Sequence, residues 1–345
     1  MVTRWGIAGC GWVARDYVGP AIVASTNGRV AAVFDPDQVA RARAADLLGC
    51  PAYADPTTFH QAVDAVYVAA PNHVHRVLVE AAAQAGKPVL CEKPMATGMA
   101  DAKAMVAACA AAGVRYATAF DQRWHPAHRH MADLIAAGRL GTVTAIRIVY
   151  ACWLPAGWDG DGLSPDNWRI DPRRAGGGAL MDLAPHGLDL SAMLLGERLA
   201  DIAAMGQRRV HQYGVEDGAV LMARSQSGAL VQMHVAYNCP DALPRRRLEV
   251  IGTLGQLVAE NTMGQTPGGS LVFTDAATGV ASPVDVPDAL RSPFVNQVEA
   301  FAGWLQGRPF AFTPENDLHT MRLVLDAQRM ADPAAMANEG FDDAA

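Results

Sequence analysis

The 345-residue sequence lacks the features of several protein classes. No two of its six cysteines form a C-x-x-C pair or show zinc-ribbon spacing, which argues against a redox dithiol and a structural zinc site. No apolar run approaches the ~18 residues that a membrane-spanning helix needs. The first ten residues, MVTRWGIAGC, have no hydrophobic region long enough for a signal peptide. We therefore expect free thiols and a cytoplasmic location.

Charge is also sparse and scattered. Charged residues make up 18% of the chain, the net charge is -7, and Lys and Arg do not cluster. This argues against nucleic acid and membrane as partners. Hydrophobic residues make up 51%, and the length exceeds one ordinary core, which predicts two domains. We place them at residues 1–121 and 122–345.

The first 120 residues alternate short β-rich runs with longer alanine-rich runs. Such alternation predicts a doubly wound parallel sheet of the Rossmann type. The predicted strands are residues 4–8, 29–34, 64–70, 88–91 and 114–119. The predicted helices between them include residues 73–85 and 101–112.

After residue 121 strands follow one another with tight turns. Consecutive strands favour antiparallel pairing, so we expect an α+β domain with an open, mainly antiparallel sheet. The predicted strands are residues 143–152, 202–210, 219–225, 229–237 and 246–251. The predicted helices are residues 126–137, 178–195, 292–305 and 314–330.

A glycine-rich run follows the first predicted strand and opens a helix. It consists of Gly9, Cys10, Gly11, Trp12, Val13 and Ala14. The run fits G-x-G-x-x-G/A, in which glycines admit a pyrophosphate to the backbone and the helix N-terminus faces its charge. Asp35 ends the second predicted strand, where a carboxylate would bind the adenosine ribose and repel a 2′-phosphate. Pro36 follows it instead of an arginine, so we expect NAD as the cofactor.

Two further predicted strands end in polar residues. Ligands of open α/β sheets bind at the carboxyl ends of strands, so Pro71, Asn72, Glu92 and Lys93 are candidate cofactor contacts. His75, at the start of the following helix, is either another cofactor contact or a structural residue. The proline after Lys93 restricts this lysine to an extended backbone and so aims its ammonium group. A lysine placed there can relay a proton or polarise a carbonyl.

These motifs together resemble the glucose-fructose oxidoreductase, inositol dehydrogenase and MocA (Gfo/Idh/MocA) family. The resemblance rests on residues 9–14, 70–75, 85–94, 168–189 and 294–301, and covers nearly the whole chain. It implies a Rossmann domain, an open-sheet domain, and face-to-face association into homodimers or homotetramers. It also implies NAD(P)-linked oxidation or reduction at a carbon of a sugar, cyclitol or similar polyol. Lys93, Asp182 and His186 match the family's catalytic residues, and the bond before Pro94 is often cis in relatives.

The spacing of Asp182 and His186 agrees with these roles. They lie four residues apart on a predicted helix and share a face, which Asp189 joins. A histidine oriented by a carboxylate is a good general base near neutral pH, and Lys93 would steady the substrate oxygen. Pro185 departs from the family pattern, so we expect a kink or local break just before His186.

Other side chains are candidates for the substrate site. In relatives the segment around Arg123 borders the active cleft, so this residue is a candidate substrate contact. Trp153, Trp158 and Trp168 either stack on a sugar or cover the interdomain hinge. Trp153 and Trp168 are the two included among our expected substrate-binding residues.

No metal is expected. His125, His128 and His130 cannot share one helix face, and no carboxylate completes the set. The run Asp159 to Gly162 looks like the start of a calcium loop, but Ile170 stands where the twelfth-position glutamate belongs. We expect a mobile cleft loop there.

The leading hypothesis is thus an NAD-dependent oxidoreductase of a sugar, cyclitol or related polyol. Two alternatives stay open. One is a dehydrogenase of a non-carbohydrate substrate such as a dihydrodiol. The other is a regulatory protein that binds dinucleotide without turnover.

Overall fold

The computed structural model describes residues 2–160 and 166–331. Asp161 and Gly162 of the calcium-like run lie outside the described residues, as does the end of the predicted second domain, residues 332–345. Two sheets organise the chain, one with six strands and one with eight. They confirm the predicted combination of a parallel and a mainly antiparallel sheet.

The six-stranded sheet is parallel throughout, in the order β3-β2-β1-β4-β5-β6. Its strands are β1 (Thr3–Ala8), β2 (Gly28–Phe34), β3 (Ala52–Tyr53), β4 (Ala65–Val68), β5 (Val89–Glu92) and β6 (Tyr116–Ala119). The two-residue strand β3 was not predicted, because two residues show no periodicity. The order in which successive strands are added to the sheet reverses between β1 and β4. This is the switch point at which doubly wound sheets bind their ligands.

Helices connect these parallel strands. They are α1 (Gly19–Ala24), α2 (Gln38–Leu48), α3 (Pro56–Gln61), α4 (His75–Gln84) and α5 (Met99–Ala111). A π-helical turn, Ala14–Val18, leads from the glycine-rich run into α1, and a 3-10 turn, Asn72–Val74, precedes α4. The Asp37 carboxylate caps α2 by accepting from the N–H groups of Val39 and Ala40.

The eight-stranded sheet has the order β14-β13-β12-β11-β7-β10-β9-β8. Its strands are β7 (Val143–Ala151), β8 (Leu199–Gln207), β9 (Gly218–Ser225), β10 (Leu230–Ala236), β11 (Arg246–Gly252), β12 (Gly255–Glu260), β13 (Ser270–Asp275) and β14 (Ala281–Pro283). Strands β7 and β10 are parallel, and the other neighbouring pairs are antiparallel. Strands β12 to β14 extend the sheet beyond the strands that we predicted.

One long helix carries Asp182 and His186 along the inner face of this sheet. The helices of the second half are α6 (Pro126–Ala136), α7 (Pro172–Ala175), α8 (Ala179–Leu195), α9 (Pro293–Leu305) and α10 (Pro314–Ala331). Helix α8 packs against β7, β9 and β10, and 13 of its 17 residues are buried. It runs through Pro185 without interruption, so the alternative of a local break is wrong, and the alternative of a kink stays a prediction. Burial of most of the helix offsets the one backbone hydrogen bond that proline removes.

Helix α9 packs on the six-stranded sheet although it comes late in the chain. The ring of Phe301 lies 5.6 Å from that of Trp5 in β1, and Phe294 and Val298 are buried in the same cluster. The division at residue 121 stays a prediction.

The other face of the eight-stranded sheet is open. Alternate residues of β8, β9 and β10 point away from α8, and several large apolar side chains are exposed there. They are Met205, Val220, Met222 and Leu230. None of the helices in residues 2–160 and 166–331 combines the length and apolar character needed to cross a membrane.

Candidate active site

A cleft of about 800 Å³ opens at the carboxyl edge of the parallel sheet. Its wall includes the glycine-rich turn, the ends of β2, β4 and β5, residues 158–160, 166–169 and 174, and one residue of α8. The predicted site residues on this wall are Gly9, Gly11, Trp12, Val13, Asp35, Pro71, Asn72, Glu92, Lys93, Trp168 and Asp182. The structure thus brings most of them to one place.

Glycine at position 9 is required by a close backbone approach. Gly9 has a φ of +96°, and a Cβ atom there would lie 2.6 Å from the backbone oxygen of Ala69. The N–H of Cys10 donates to Asp35 Oδ2 at 2.8 Å, while its thiol is buried. The turn therefore holds Asp35 at the end of β2 as well as shaping the cleft.

The Asp35 carboxylate is held from two sides. Its second oxygen accepts from the N–H of Asp37 at 2.9 Å. Each carboxylate oxygen has two acceptor sites, so both oxygens can still accept from ribose hydroxyls. The Arg41 guanidinium donates to the Asp35 backbone oxygen at 2.5 Å, which places a cation beside this carboxylate. The shape of the turn and this acceptor fit a dinucleotide.

Of the predicted residues that follow β4, two line the cleft and one is buried behind it. Pro71 lines the cleft, and the Asn72 amide also lines it while donating to the backbone oxygen of Ala175 at 2.8 Å. His75 is fully buried, and its ring nitrogens lie 2.8 Å from the backbone oxygen of Ala70 and 3.1 Å from that of Pro94. The structure therefore gives His75 the supporting position of the two that we considered.

Lys93 and Asp182 meet at the inner end of the cleft. The Lys93–Pro94 peptide bond is cis, as the resemblance implies. Lys93 Nζ lies 2.7 Å from Asp182 Oδ1 and 3.0 Å from the Asp182 backbone oxygen. An ammonium group has three donors, so one remains for a substrate oxygen. The hydroxyl of Tyr237 donates to Asp182 Oδ2 at 2.8 Å.

The charges at this end of the cleft are fixed by their neighbours. Burial would raise the pKa of Asp182, but the charges of Lys93 and Arg169 and the hydrogen bonds outweigh it and hold that pKa below its usual range. The Asp182 carboxylate is therefore an anion, and it pairs with the Lys93 side chain. Beside it, burial raises the pKa of Glu92 to about 7, and Glu92 Oε1 accepts from the Tyr67 hydroxyl at 2.7 Å.

His186 lies behind the cleft wall. It is 3% exposed and does not line the cleft. Its Nδ1 is 3.1 Å from Asp121 Oδ1, although the approach falls outside hydrogen-bond geometry. Asp182, which we expected to share its face, is bound by Lys93 and Tyr237 instead.

Arg123 is buried and does not line the cleft. It is 2% exposed and lies 2.5 Å from both the Asp189 and Asp317 carboxylates. Its guanidinium also stacks between the rings of Phe120 and Phe312. Two buried carboxylates hold this side chain away from the cleft wall, so the structure does not make it the substrate contact that we expected.

Only two of the three tryptophans line the cleft. Trp153 is 37% exposed and packs its indole on His211, away from the cleft wall. Trp158 and Trp168 do line the cleft, with the Arg169 guanidinium 5.0 Å and 4.6 Å from their ring centroids.

Sequence reasoning missed three polar residues at the site. Asp121 follows the carboxyl end of β6, the same signal that identified Lys93 after β5, and could have been found. Arg169 stands inside the family-like motif that begins at Trp168. Tyr237 follows β10 with no local signal, because its position depends on how β10 pairs with β7. Over the described ranges, no three His, Cys, Asp or Glu side chains are grouped to hold a metal.

Comparison with known proteins gives two family matches. Residues 3–120 match the oxidoreductase family with an NAD-binding Rossmann fold, and residues 128–258 match the GFO/IDH/MocA C-terminal domain. The 1,5-anhydro-D-fructose reductase of Ensifer adhaerens is 35% identical over 90% of this chain and 91% of its own. A D-xylose 1-dehydrogenase (NADP(+)) of Haloferax volcanii is 31% identical over 86% of this chain and 87% of its own.

A solved structure is similar along the whole chain. The aldose-aldose oxidoreductase of Caulobacter crescentus, complexed with glycerol, superposes with a TM-score of 0.84. It is 25% identical, and the match covers 98% of each chain.

Proposed function

Because the chain belongs to the Gfo/Idh/MocA family of oxidoreductases, we propose that it transfers hydride between NAD and a carbon of a sugar, cyclitol or related polyol. The observation that carries the proposal is the Lys93–Asp182 pair at the inner end of a dinucleotide-sized cleft. Two relatives, named as a 1,5-anhydro-D-fructose reductase and a D-xylose 1-dehydrogenase, support a sugar or polyol as the substrate.

The proposed cofactor is NAD. The backbone of Gly9 and Gly11 would face the pyrophosphate, and the Asp35 carboxylate would accept from the adenosine ribose hydroxyls. A 2′-phosphate would meet the negative charge of Asp35, which favours NAD although one relative is named for NADP(+). When bound, the nicotinamide supplies or accepts the hydride.

Three side chains of this chain would handle the proton. The remaining Lys93 N–H would donate to the substrate oxygen and steady the charge that develops on it. Asp182 would keep that ammonium group aimed. His186 would take the hydroxyl proton during oxidation and return it during reduction, since imidazole exchanges protons near neutral pH.

The experiment is an absorbance assay in the reduced-nicotinamide band against a panel of sugars and cyclitols. We expect turnover of at least one polyol with NAD or its reduced form. Dinucleotide binding by calorimetry without turnover in either direction would favour the regulatory alternative. Turnover of dihydrodiols alone would overturn the proposed substrate class.

We also propose that copies of this chain associate through the open face of the eight-stranded sheet. The exposed Met205, Val220, Met222 and Leu230 form an apolar surface that a second copy would bury. Met222→Arg should lower the mass measured by light scattering. A monomeric wild-type protein at micromolar concentration would contradict this proposal.

A further inference from the structure

His186 has an unusual environment for a buried histidine. It is 3% exposed, and neither ring nitrogen has a hydrogen-bond partner among the described residues. Buried polar atoms in folded proteins are nearly always paired, and an unpaired one often marks a functional position. The ring is held on one side by Tyr150, whose ring centroid lies 5.5 Å away in an edge-to-face arrangement.

One carboxylate stands at one end of this imidazole. Asp121 Oδ1 lies 3.1 Å from Nδ1, and the two side chains are 5% and 3% exposed. The other carboxylate oxygen accepts from the side-chain amide of Gln122 at 2.9 Å, and that amide also donates to the backbone oxygen of Gly264 at 2.8 Å. The Gln122 side chain therefore holds the Asp121 carboxylate in place and is itself held by the backbone oxygen of Gly264.

The other nearby carboxylates are committed elsewhere. Asp182 is bound by Lys93 and Tyr237. Asp189, one turn after His186 on α8, accepts two hydrogen bonds from Arg123, at 2.8 Å and 2.5 Å. This leaves Asp121 as the carboxylate that can accept from the histidine. Burial would raise the pKa of Asp121, but the neighbouring His186, Lys93 and Gln122 lower it, so Asp121 is an anion.

We propose that Asp121 is the positioning residue of the reaction: it holds His186 as the Nδ1–H tautomer, so that Nε2, which is buried and unpaired in the protein without substrate, is the nitrogen that exchanges a proton once substrate is bound. The inference deepens the proposed function and rests on it. In oxidation the substrate O–H bond would break and its proton would form the Nε2–H bond, while the same carbon would lose hydride to the bound dinucleotide, which supplies the oxidant, and a carbonyl would remain. The Asp121 carboxylate stabilises the resulting imidazolium without taking the proton. Contacts of this kind are often misaligned without substrate and tighten when it binds.

The test is the tautomer of His186 in the protein without cofactor or substrate. We would record nitrogen chemical shifts in protein labelled with ¹⁵N-histidine and assign His186 by its loss in His186→Asn. The neutral wild-type ring should carry its proton on Nδ1. In Asp121→Asn the neutral carboxamide no longer favours one tautomer by charge, so a mixture should appear. Because no turnover is needed, this result is independent of the substrate class.

Kinetics then connects the tautomer to the reaction. Asp121→Asn should lower kcat by about ten- to a thousandfold and leave KM nearly unchanged, because the lost interaction belongs to proton transfer. Asp121→Glu keeps the carboxylate and should recover part of the rate.

The matched control is Asp317→Asn, which removes another buried carboxylate of the same size, bound to Arg123 instead of a histidine. It should change stability without changing the His186 tautomer. An Nε2–H ring in the wild type would overturn the inference, as would an unchanged tautomer in Asp121→Asn. If Asp317→Asn shifts the tautomer equally, the effect is general loss of packing and the inference is also wrong. A correct tautomer with no polyol turnover would instead count against the proposed function.

Discussion

The two ends of the cleft differ in what holds their residues in place. At the cofactor end, Gly9, Cys10 and Asp35 follow neighbouring strands of one sheet: the Gly9 N–H donates to the Phe34 backbone oxygen and the Cys10 N–H to the Asp35 carboxylate. At the reacting end, Lys93 and Asp182 are 89 positions apart in the chain and meet through the Lys93 side chain, which donates to both the carboxylate and the backbone oxygen of Asp182. The first end therefore depends on a local fold, whereas the second depends on how β5 and α8 are placed relative to each other.

Lys93→Met is the strongest way to separate the two ends. It removes the donor proposed for the substrate oxygen, and turnover should fall by roughly two to four decades, the usual contribution of acid–base assistance. Dinucleotide affinity by calorimetry should stay nearly unchanged. Lys103→Met, an exposed lysine on α5, is the control and should behave as wild type. A Lys93→Met enzyme within threefold of wild type would remove this lysine from the mechanism.

Arg123→Met tests the support beneath the reacting end. It leaves the Asp189 and Asp317 carboxylates buried and unpaired, which should lower the free energy of unfolding by about 3–5 kcal/mol. Denaturant unfolding measures the loss. Arg129→Met, on the exposed side of α6, should stay within about 0.5 kcal/mol of wild type. If the free energy of unfolding is unchanged and substrate binding is weaker, Arg123 is a substrate contact and not a structural support.

Glu92 allows a test by pH alone. Burial raises its pKa from 4.5 to about 7, so between these values the folded protein holds a proton that the unfolded chain releases. The free energy of unfolding should therefore fall as pH rises through this window, by on the order of 3 kcal/mol from this group. Glu92→Gln removes the ionisation, so its stability relative to wild type should be greater at pH 8 than at pH 5. Parallel stability curves for the two proteins would contradict the shift.

The contrast between the two ends also explains what sequence could and could not predict. The fold class, the glycine turn and the strand ends that carry Asp35 and Lys93 follow from local patterns, because each is set by residues within one strand–turn–helix unit. The partners of Asp182, Arg123 and His186 were not predictable in this way. Each partner lies on a distant element, and helical spacing identifies residues that share a face without telling which side chain opposes them.

Pro185 shows that tertiary packing can also override a local sequence rule. The local rule that proline interrupts a helix was outweighed by burial of α8 between the sheet and its neighbours. Trp153 shows it once more, since clustering in sequence with Trp158 and Trp168 did not bring it to the cleft wall.

The smallest effect we predict concerns cofactor choice, and it should be confined to the cofactor end. Charge-assisted hydrogen bonds from the Asp35 carboxylate to ribose hydroxyls are worth roughly 1.5–3 kcal/mol, or around ten- to a hundredfold in affinity. Asp35→Ser should therefore weaken NAD binding and, by removing a negative charge, strengthen NADP binding. Arg41 already donates to the backbone of residue 35, so a guanidinium is in place to receive a 2′-phosphate once the carboxylate is gone. Calorimetric titration of both cofactors against both proteins measures the change, while kcat at saturating cofactor should stay within a fewfold of wild type. If the wild-type protein already binds NADP as tightly as NAD, the role proposed for Asp35 is wrong.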